Sequence, residues 1–294
     1  MFTLAHLSDP HLAPLPAPSW SELAGKRITG YINWQRKRRF VHDPAMLAKV
    51  VADLKSQAPD HIAVTGDIAN IALPDEFTRG RHWLHGIGTA KDVTFVPGNH
   101  DIYVAEAEAL AKHAWGDYMC ADSGISGFPF VRRRGPLVLI GLSSGVPTAP
   151  FQATGRLGAT QLAALSAIFD ALKGKNLFRV VLIHHPPVST AARHKCLIDA
   201  AEFLRVIATH GAELVLHGHD HQYMVNWLNG PSGARVPAVG VPSASTKPGT
   251  DKDAAAYNLY RIDGSAGAWR YELISRGVNK AGVMVEQKRF MLAG

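Results

Sequence analysis

The chain has 294 residues, of which 47% are hydrophobic and 19% charged, a composition that excludes a disordered polymer. No apolar run approaches the roughly 18 residues that cross a bilayer, and the N-terminus lacks the features of a signal peptide. Two cysteines cannot form a disulfide framework, which favours a cytoplasmic location, and the formal net charge of +7 is concentrated in residues 26–39 and 132–134.

In chain order, apolar strands alternate with amphipathic helices over the first two-thirds of the sequence. The predicted strands are residues 2–7, 61–65, 93–96, 137–142, 178–183 and 213–216. The predicted helices are residues 44–57, 74–84, 106–115, 160–172 and 197–209. Strands at 225–228, 236–241, 257–262, 269–274 and 283–290 then follow one another with short turns. This pattern predicts a largely buried sheet with a second sheet packed on it, in one domain of residues 1–294.

Residues 12–42, which we call the insert, interrupt this alternation, because connections between a strand and a helix usually span only a few residues. The insert opens with three prolines and then mixes aromatic, apolar and basic side chains. Its helical periodicity is poor, since Gly25 and Gly30 break the pattern. Its position directly after the first strand predicts a lid or a wall of a functional site.

Five short polar motifs follow predicted strands, where parallel sheets present their functional groups. They are Asp9-Pro10-His11, Gly66-Asp67-Ile68-Ala69-Asn70, Gly98-Asn99-His100-Asp101, His184-His185 and His217-Gly218-His219-Asp220-His221. Singly, each motif is as typical of a turn, a helix cap or a hydrogen-bonded core histidine. Jointly, they supply carboxylate, amide and imidazole groups in the number that two adjacent divalent cations require. If Asp67 bridges, its two oxygens hold the two cations ~3.5–4 Å apart.

Motifs in this order resemble those of the calcineurin-like metallophosphoesterases, and the resemblance covers residues 2 to about 245. Within that family, the size and the motifs of the chain resemble those of the compact bacterial phosphodiesterases. It implies an α/β fold, a four-layer αββα sandwich of two mixed β-sheets flanked by helices. One metal would be bound by Asp9, His11, Asp67 and His221, and the other by Asp67, Asn99, His184 and His219. His184 is preferred to His185 because the family's ligand directly follows the apolar strand. Asn70 stands where the family often has aspartate, and we expect it to be structural.

His100 and Asp101 are the predicted catalytic residues. His100 follows the ligand Asn99 and therefore lies close to the metals. The resemblance implies that His100 donates a proton to the leaving oxygen or stabilises the transition state. Asp101 is expected to hold the tautomer and the orientation of the His100 ring.

The implied activity is hydrolysis of phosphate esters, most simply by a phosphodiesterase in which a water that bridges two metals loses a proton and attacks phosphorus in line. The ligands fit two divalent ions of Mn, Fe, Zn or Co without choosing among them. The expected substrate is a small-molecule or lipid phosphodiester, such as a cyclic nucleotide, a glycerophosphodiester or a lipid-linked pyrophosphate. A nuclease that uses the basic residues is the alternative. A non-enzymatic scaffold is disfavoured because the ligand set has no gap.

Residues 20–40 interleave tryptophan and tyrosine with arginine and lysine, a composition that suits an anionic membrane surface. One interpretation is therefore a peripheral location at the inner face of the membrane. The other is a lid whose aromatic side chains pack on the domain. The sequence predicts neither an oligomeric state nor a role for Arg132, Arg133 and Arg134.

Overall fold

The computed structural model describes residues 1–293, which form twelve strands and seven α-helices. The strands are β1 (Phe2–Leu7), β2 (His61–Val64), β3 (Val93–Phe95), β4 (Phe130–Arg134), β5 (Leu137–Gly141), β6 (Phe178–Leu182), β7 (Leu214–His217), β8 (Met224–Asn229), β9 (Arg235–Gly240), β10 (Ala256–Asp263), β11 (Arg270–Val278) and β12 (Met284–Ala293). The helices are α1 (Lys26–Asn33), α2 (Arg39–Val41), α3 (Pro44–Ser56), α4 (Pro74–Ile87), α5 (Ala107–Trp115), α6 (Ala159–Leu172) and α7 (Ala200–His210). A π-helical turn, Trp34–Arg38, joins α1 to α2.

Two six-stranded sheets organise these elements. The first has the order β12-β11-β10-β1-β2-β3, with β1, β2 and β3 parallel and the other three strands joined by antiparallel pairing. The second has the order β4-β5-β6-β7-β9-β8, with a parallel centre of β5, β6, β7 and β9 and an antiparallel strand at each edge. The parallel strands of both sheets carry the five polar motifs at their carboxyl ends.

The two sheets pack face to face around one apolar cluster that includes the fully buried Leu4 of β1 and Leu182 of β6. Side chains of α3, α4 and α5, such as Leu54, join this cluster. Helices α6 and α7 close a second cluster around Leu165 and Phe203 on the second sheet. The predicted four-layer αββα sandwich is therefore confirmed. Among residues 1–293, no helix combines the length and the apolar character that crossing a membrane requires.

The end of the insert is fixed to the loop that follows β9. Asp43 caps α3, since its carboxylate accepts a hydrogen bond from the Ala45 N–H at 2.8 Å and a proline occupies the first helical position. The Asp43 N–H donates to the Ser245 carbonyl, and His42 forms an isolated bridge with Thr246. These contacts position the side chains that come just before α3.

Two parts of the chain differ from the sequence-based expectations. The second half of the insert is helical despite its poor periodicity, because α1 runs through Gly30 and continues into the π-helical turn. Strand β4 was not predicted, because three successive arginines conceal its alternation. In the structure, the Arg132 side chain faces inward and is only 3% exposed, whereas Arg133 is exposed.

Candidate metal centre

The seven predicted ligands lie on loops that leave the carboxyl ends of five parallel strands. Asp9 and His11 follow β1, Asp67 follows β2, Asn99 follows β3, His184 follows β6, and His219 and His221 follow β7. All of them except Asn99 and His184 have a positive φ, between 38° and 72°. Residues with a side chain rarely adopt this conformation, and such strain is concentrated at functional sites.

The first cluster of donor atoms comes from Asp9, His11, Asp67 and His221. Asp9 Oδ1 lies 3.2 Å from His221 Nε2 and 3.8 Å from His11 Nε2. The Nε2 atoms of His11 and His221 are 3.3 Å apart, and His11 Nε2 lies 3.8 Å from Asp67 Oδ2. The two carboxylates and His11 are buried, whereas His221 is partly accessible from the solvent side. The four side chains thus come together, with donor atoms 3.2 to 3.8 Å from their neighbours.

The second cluster comes from Asp67, Asn99, His184 and His219. Asp67 Oδ2 lies 3.3 Å from His184 Nε2. His219 Nδ1 lies 3.3 Å from His184 Nε2 and 2.9 Å from Asn99 Oδ1. The adjacent His185 does not contribute a donor atom, because its two ring nitrogens lie within hydrogen-bonding distance of Ser144 Oγ and of a backbone carbonyl.

Asp67 links the clusters through a single oxygen. Its Oδ2 faces His184 on one side and His11 on the other, at the distances given above. Its Oδ1 accepts a hydrogen bond from the His100 N–H at 2.8 Å. Oδ2 of Asp67 therefore faces both clusters, while Oδ1 is held by the His100 N–H.

In three of the four predicted ligand histidines, a backbone carbonyl determines which ring nitrogen carries a proton. The contacts are His11 Nδ1 with Ala69 O at 3.1 Å, His184 Nδ1 with Thr65 O at 2.6 Å, and His219 Nε2 with Lys195 O at 2.9 Å. A carbonyl oxygen only accepts, so each of these nitrogens donates. The other nitrogen of each neutral ring then presents a lone pair to its cluster, which is the usual way that proteins orient metal-binding histidines.

These lone pairs fit metal cations better than they fit one another. Asp9 Oδ1 is buried and has no hydrogen-bond partner among residues 1–293. The lone pair of His219 Nδ1 faces that of Asn99 Oδ1 at 2.9 Å. Two facing lone pairs repel unless a cation lies between them. The oxygen and nitrogen donors suit divalent metal cations.

Gly98 shows how closely the loops pack around Asp67. A Cβ atom on Gly98 would lie 2.2 Å from Asp67 Oδ1 and 2.8 Å from His184 Cε1. Both distances are too short for any larger residue. The glycine of this motif is therefore required by the close approach of two ligand loops.

The electrostatics of the clusters keep the carboxylates ionised. Burial acts to raise the pKa of Asp9, but His221 and His184 hold it well below its usual range. Burial acts to lower the pKa of His184, but Asp67 and Asp9 raise it to about 10. Without a metal, a proton on His184 thus balances part of the buried negative charge, in the position where a cation would replace it.

His100 borders the site, and both of its ring nitrogens are engaged. Its Nδ1 donates to the carbonyl oxygen of Asn70, so its Nε2 accepts from Arg38 Nη1, at 2.6 Å. Burial and the Arg38 charge lower the pKa of His100 to about 3. The neutral ring presents no proton to the cavity in this arrangement. The resemblance implies that His100 either donates a proton or stabilises the transition state, and these hydrogen bonds do not favour proton donation.

The expectation that Asp101 orients the His100 ring is wrong. The Asp101 carboxylate instead accepts hydrogen bonds from the backbone N–H groups of Asp67, Ala69 and Gly98, at 2.7, 2.9 and 2.9 Å. Burial, with the neighbouring Asp67, raises the pKa of Asp101 to about 7. Asp101 thus joins the loop after β2 to the loop after β3 and acts on the ligands through the backbone.

Two site residues that the sequence did not single out, Arg38 and His42, come from the insert. The His42 ring lies 4.5 Å from the His11 ring, and its Nδ1 lies 2.9 Å from Ser245 Oγ. Trp34, which was expected at a membrane surface, is buried and stacks on His42. Only the position of the insert pointed to these residues, because no motif spacing links them to the ligands.

An open cavity of about 610 Å³ lies over both clusters. The insert forms one wall of it, including Lys26, Lys37 and Arg38. Phe151, which is 83% exposed and has a φ of 65°, stands at the rim. The cavity therefore combines a basic wall with an accessible aromatic ring.

Two of the three arginines in the second basic cluster, residues 132–134, are bonded within the protein. The Arg132 guanidinium donates to the backbone carbonyls of Ala90, Val93, Asp117 and Cys120. Arg134 forms an ion pair with Asp122 at 2.8 Å. Arg132 and Arg134 thus hold β4 and its neighbouring loops, whereas Arg133 is exposed.

Comparison with known proteins agrees with this geometry. A family model described as calcineurin-like phosphoesterase matches residues 2–223. A probable cyclic nucleotide phosphodiesterase from Synechococcus sp. is 31% identical over 182 residues, which cover 60% of this chain and 64% of that protein. The match thus spans less than two-thirds of that relative's length.

Solved structures show the same fold at low sequence identity. A dimetal phosphatase from Danio rerio superposes with a TM-score of 0.66 at 14% identity, over 99% of this chain and 98% of that one. The purple acid phosphatase PPD1 from yellow lupin (Lupinus luteus) has a TM-score of 0.60 at 10% identity, over 99% of this chain and 53% of that one. Since the family model covers most of the sequence and the two sheets have the expected architecture, this chain belongs to the calcineurin-like phosphoesterases.

Proposed function

We propose that this protein is a metal-dependent phosphodiesterase that acts on small phosphate diesters. The observation that carries the proposal is the convergence of seven donor side chains in two clusters that share Asp67 Oδ2. One cation is assigned to Asp9, His11, Asp67 and His221, and the other to Asp67, Asn99, His184 and His219. Two such cations supply a water of lowered pKa and neutralise negative charge on phosphoryl oxygens.

The residues around the clusters prepare the site for that chemistry. Asp101 fixes the backbone that carries Asp67, and the carbonyls bonded to the ligand histidines fix their tautomers. His100, at the cavity wall beside Asn99, is needed for turnover but not for metal binding. Because burial keeps these groups ordered, little reorganisation is required when the charge of the phosphoryl group develops.

The cavity favours a small anionic substrate. A volume of about 610 Å³ is within the range of sites for nucleotide-sized ligands. The basic wall suits a phosphate, and the exposed ring of Phe151 is placed to stack on a base at the rim. Because the Synechococcus relative is a probable cyclic nucleotide phosphodiesterase, we propose cyclic nucleotides as the first candidate substrates and glycerophosphodiesters as the second.

A substrate panel tests this proposal. The protein, loaded separately with Mn and Zn and with its metal content measured, is offered 3′,5′-cyclic AMP, bis(p-nitrophenyl) phosphate, glycerophosphocholine and single-stranded DNA. We expect hydrolysis of the small diesters and its loss on chelation. The Asp67→Ala variant serves as the control for contaminating hydrolases. A preparation that binds two metals but hydrolyses none of the three small diesters would refute the proposal, and hydrolysis of the DNA alone would favour a nuclease.

A second candidate concerns the outer side of the insert, for which we propose contact with an anionic membrane. Its apolar side chains Trp20, Ile32 and Phe40 are 89%, 43% and 57% exposed. The exposed basic residues near them are Arg36 and Arg39. Exposed apolar rings beside cations complement a lipid surface of negative charge. Trp34 and Arg38 take no part, because they face the site.

Vesicle flotation tests the membrane contact. We expect the protein to float with phosphatidylglycerol-containing vesicles and not with phosphatidylcholine alone. The Trp20→Ser/Phe40→Ser variant should float less, whereas Ile125→Ser, which removes an equally exposed apolar side chain elsewhere, should behave as wild type. Equal flotation of all three proteins would contradict the role of the insert.

A further inference from the structure

Arg38 is a cation whose hydrogen-bonding capacity is only partly used. Its Nη1 donates to His100 Nε2 at 2.6 Å. Its Nε and Nη2 are shielded from solvent, and within residues 1–293 neither has a hydrogen-bond partner. Buried donors of a guanidinium are unfavourable unless an acceptor completes their bonding, and an anion is the acceptor that also offsets the charge. Nε and Nη2 of Arg38 are therefore two donors available to an anion.

Arg38 lies beside the metal clusters. Arg38 borders the cavity together with Asp67, Asn99 and the histidine pair His219 and His221. Burial lowers the pKa of the guanidinium, while the carboxylates of Asp67 and Asp9 act to raise it, which reflects how near they are. An anion that reached both cations would therefore also be within reach of Arg38.

The packing of the insert places Arg38 there. Helix α1 approaches the domain at Gly30, where a Cβ would lie 2.6 Å from Ile71 Cγ2 and 2.6 Å from the hydroxyl oxygen of Tyr103. The π-helical turn Trp34–Arg38 follows, and such turns rotate the later side chains relative to a regular helix. Arg38 then faces the site, while the next residue, Arg39, is exposed and bonds to Gln35.

We propose that Arg38 binds the phosphoryl group of the substrate through Nε and Nη2, which form one edge of its planar guanidinium. Such an edge can donate two parallel hydrogen bonds to two oxygens of one phosphate. His100 is then a positioning residue, which fixes the guanidinium by accepting from Nη1 and is itself fixed by Asn70. This inference rests on the proposed phosphodiesterase function for its substrate, but its phosphate site can be tested without turnover.

The test compares Arg38→Met, Arg38→Lys and the matched control Arg39→Met. Metal content is counted in each protein, and the dissociation constant of inorganic phosphate is measured by calorimetry on the metal-loaded form. We expect Arg38→Met to bind two metals as wild type does and to bind phosphate about 10- to 100-fold more weakly, since a charged hydrogen-bond pair is lost. The lysine variant should be intermediate, because it keeps the charge but not the edge, and Arg39→Met should stay within about twofold of wild type.

A second measurement uses the metal-free protein. The ¹⁵N shift of His100 Nε2 should change in Arg38→Met, because Nε2 loses its donor, and should not change in Arg39→Met. Phosphate affinity within twofold of wild type in Arg38→Met, or loss of its metals, would overturn the proposal, as would an unchanged His100 shift. Absence of diester hydrolysis by wild type would instead count against the phosphodiesterase function, while the phosphate affinities would still decide the role of Arg38.

Discussion

Replacing Asp67 with asparagine changes one atom at the point where the two clusters meet. Asp67 Oδ1 accepts from the His100 N–H at 2.8 Å, and Oδ2 lies 3.3 Å from His184 Nε2 and 3.8 Å from His11 Nε2. If the asparagine oxygen keeps the bond to His100, its NH₂ group faces both clusters. An amide NH₂ offers no lone pair, so each metal loses one of its four protein donors.

The alternative rotamer of the asparagine does not rescue the site. Its oxygen would face the metals, but its NH₂ group would then oppose the His100 N–H, and a buried donor left without an acceptor costs about 1–3 kcal/mol. The variant also removes one negative charge from a buried site for two cations. Changes outside the ligand set already cost about 10- to 100-fold in metal affinity. We therefore expect both metals to bind more than about 100-fold more weakly.

Competition with a chromophoric chelator measures each dissociation constant, and elemental analysis counts the metals. Asp199→Asn is the matched control, because the Asp199 carboxylate accepts from the backbone N–H groups of Leu157 and Gly158 away from the clusters. This control should bind two metals with wild-type affinity. If Asp67→Asn lost one metal and bound the other as wild type does, the inference that one oxygen serves both clusters would be refuted.

Three further predictions concern pH, His100 and Arg132. Burial acts to lower the pKa of His184, but Asp67 and Asp9 raise it to about 10, so a metal cation must displace a proton from this ring in order to bind. The apparent metal affinity should therefore rise roughly tenfold per pH unit between pH 6 and 9. Chelator competition at three pH values checks this, and a flat profile would contradict it. His100→Ala should keep both metals and lose turnover equally on esters with good and poor leaving groups, because His100 Nε2 accepts a hydrogen bond rather than donating a proton. A loss confined to esters with poor leaving groups would instead support His100 as the proton donor. Arg132→Met should lower the free energy of unfolding by about 2–4 kcal/mol without changing kcat/KM, because several backbone carbonyls lose their donor. Urea denaturation measures the stability and steady-state assays measure kcat/KM. An unchanged free energy of unfolding would contradict this prediction.

The fold and the convergence of the seven predicted ligand side chains could be predicted because they depend on local sequence. Alternating strands and helices place strand ends at one edge of a sheet, and each ligand follows its strand within a few residues. Asp9 and His184 are examples, at the ends of β1 and β6. Their convergence then requires only that the two sheets pack with these edges together, which the order of the motifs already favours.

The roles of Asp101 and Arg38 could not be predicted, because they depend on how separate loops meet. Three backbone N–H groups donate to the Asp101 carboxylate, and their arrangement follows from the positive φ of Asp67 and the packing at Gly98. Arg38 reaches the clusters through the close approach of α1 at Gly30 and the π-helical turn after it. Neither feature is visible in a pattern of hydrophobicity or of motif spacing.

A crystal structure of the Mn-loaded protein, with an anomalous difference map, tests the central claim most directly. We expect two peaks about 3.5–4 Å apart, one among Asp9, His11 and His221 and the other among Asn99, His184 and His219, with Asp67 Oδ2 bound to both. A single peak, or two peaks of which one does not contact Asp67, would contradict the account.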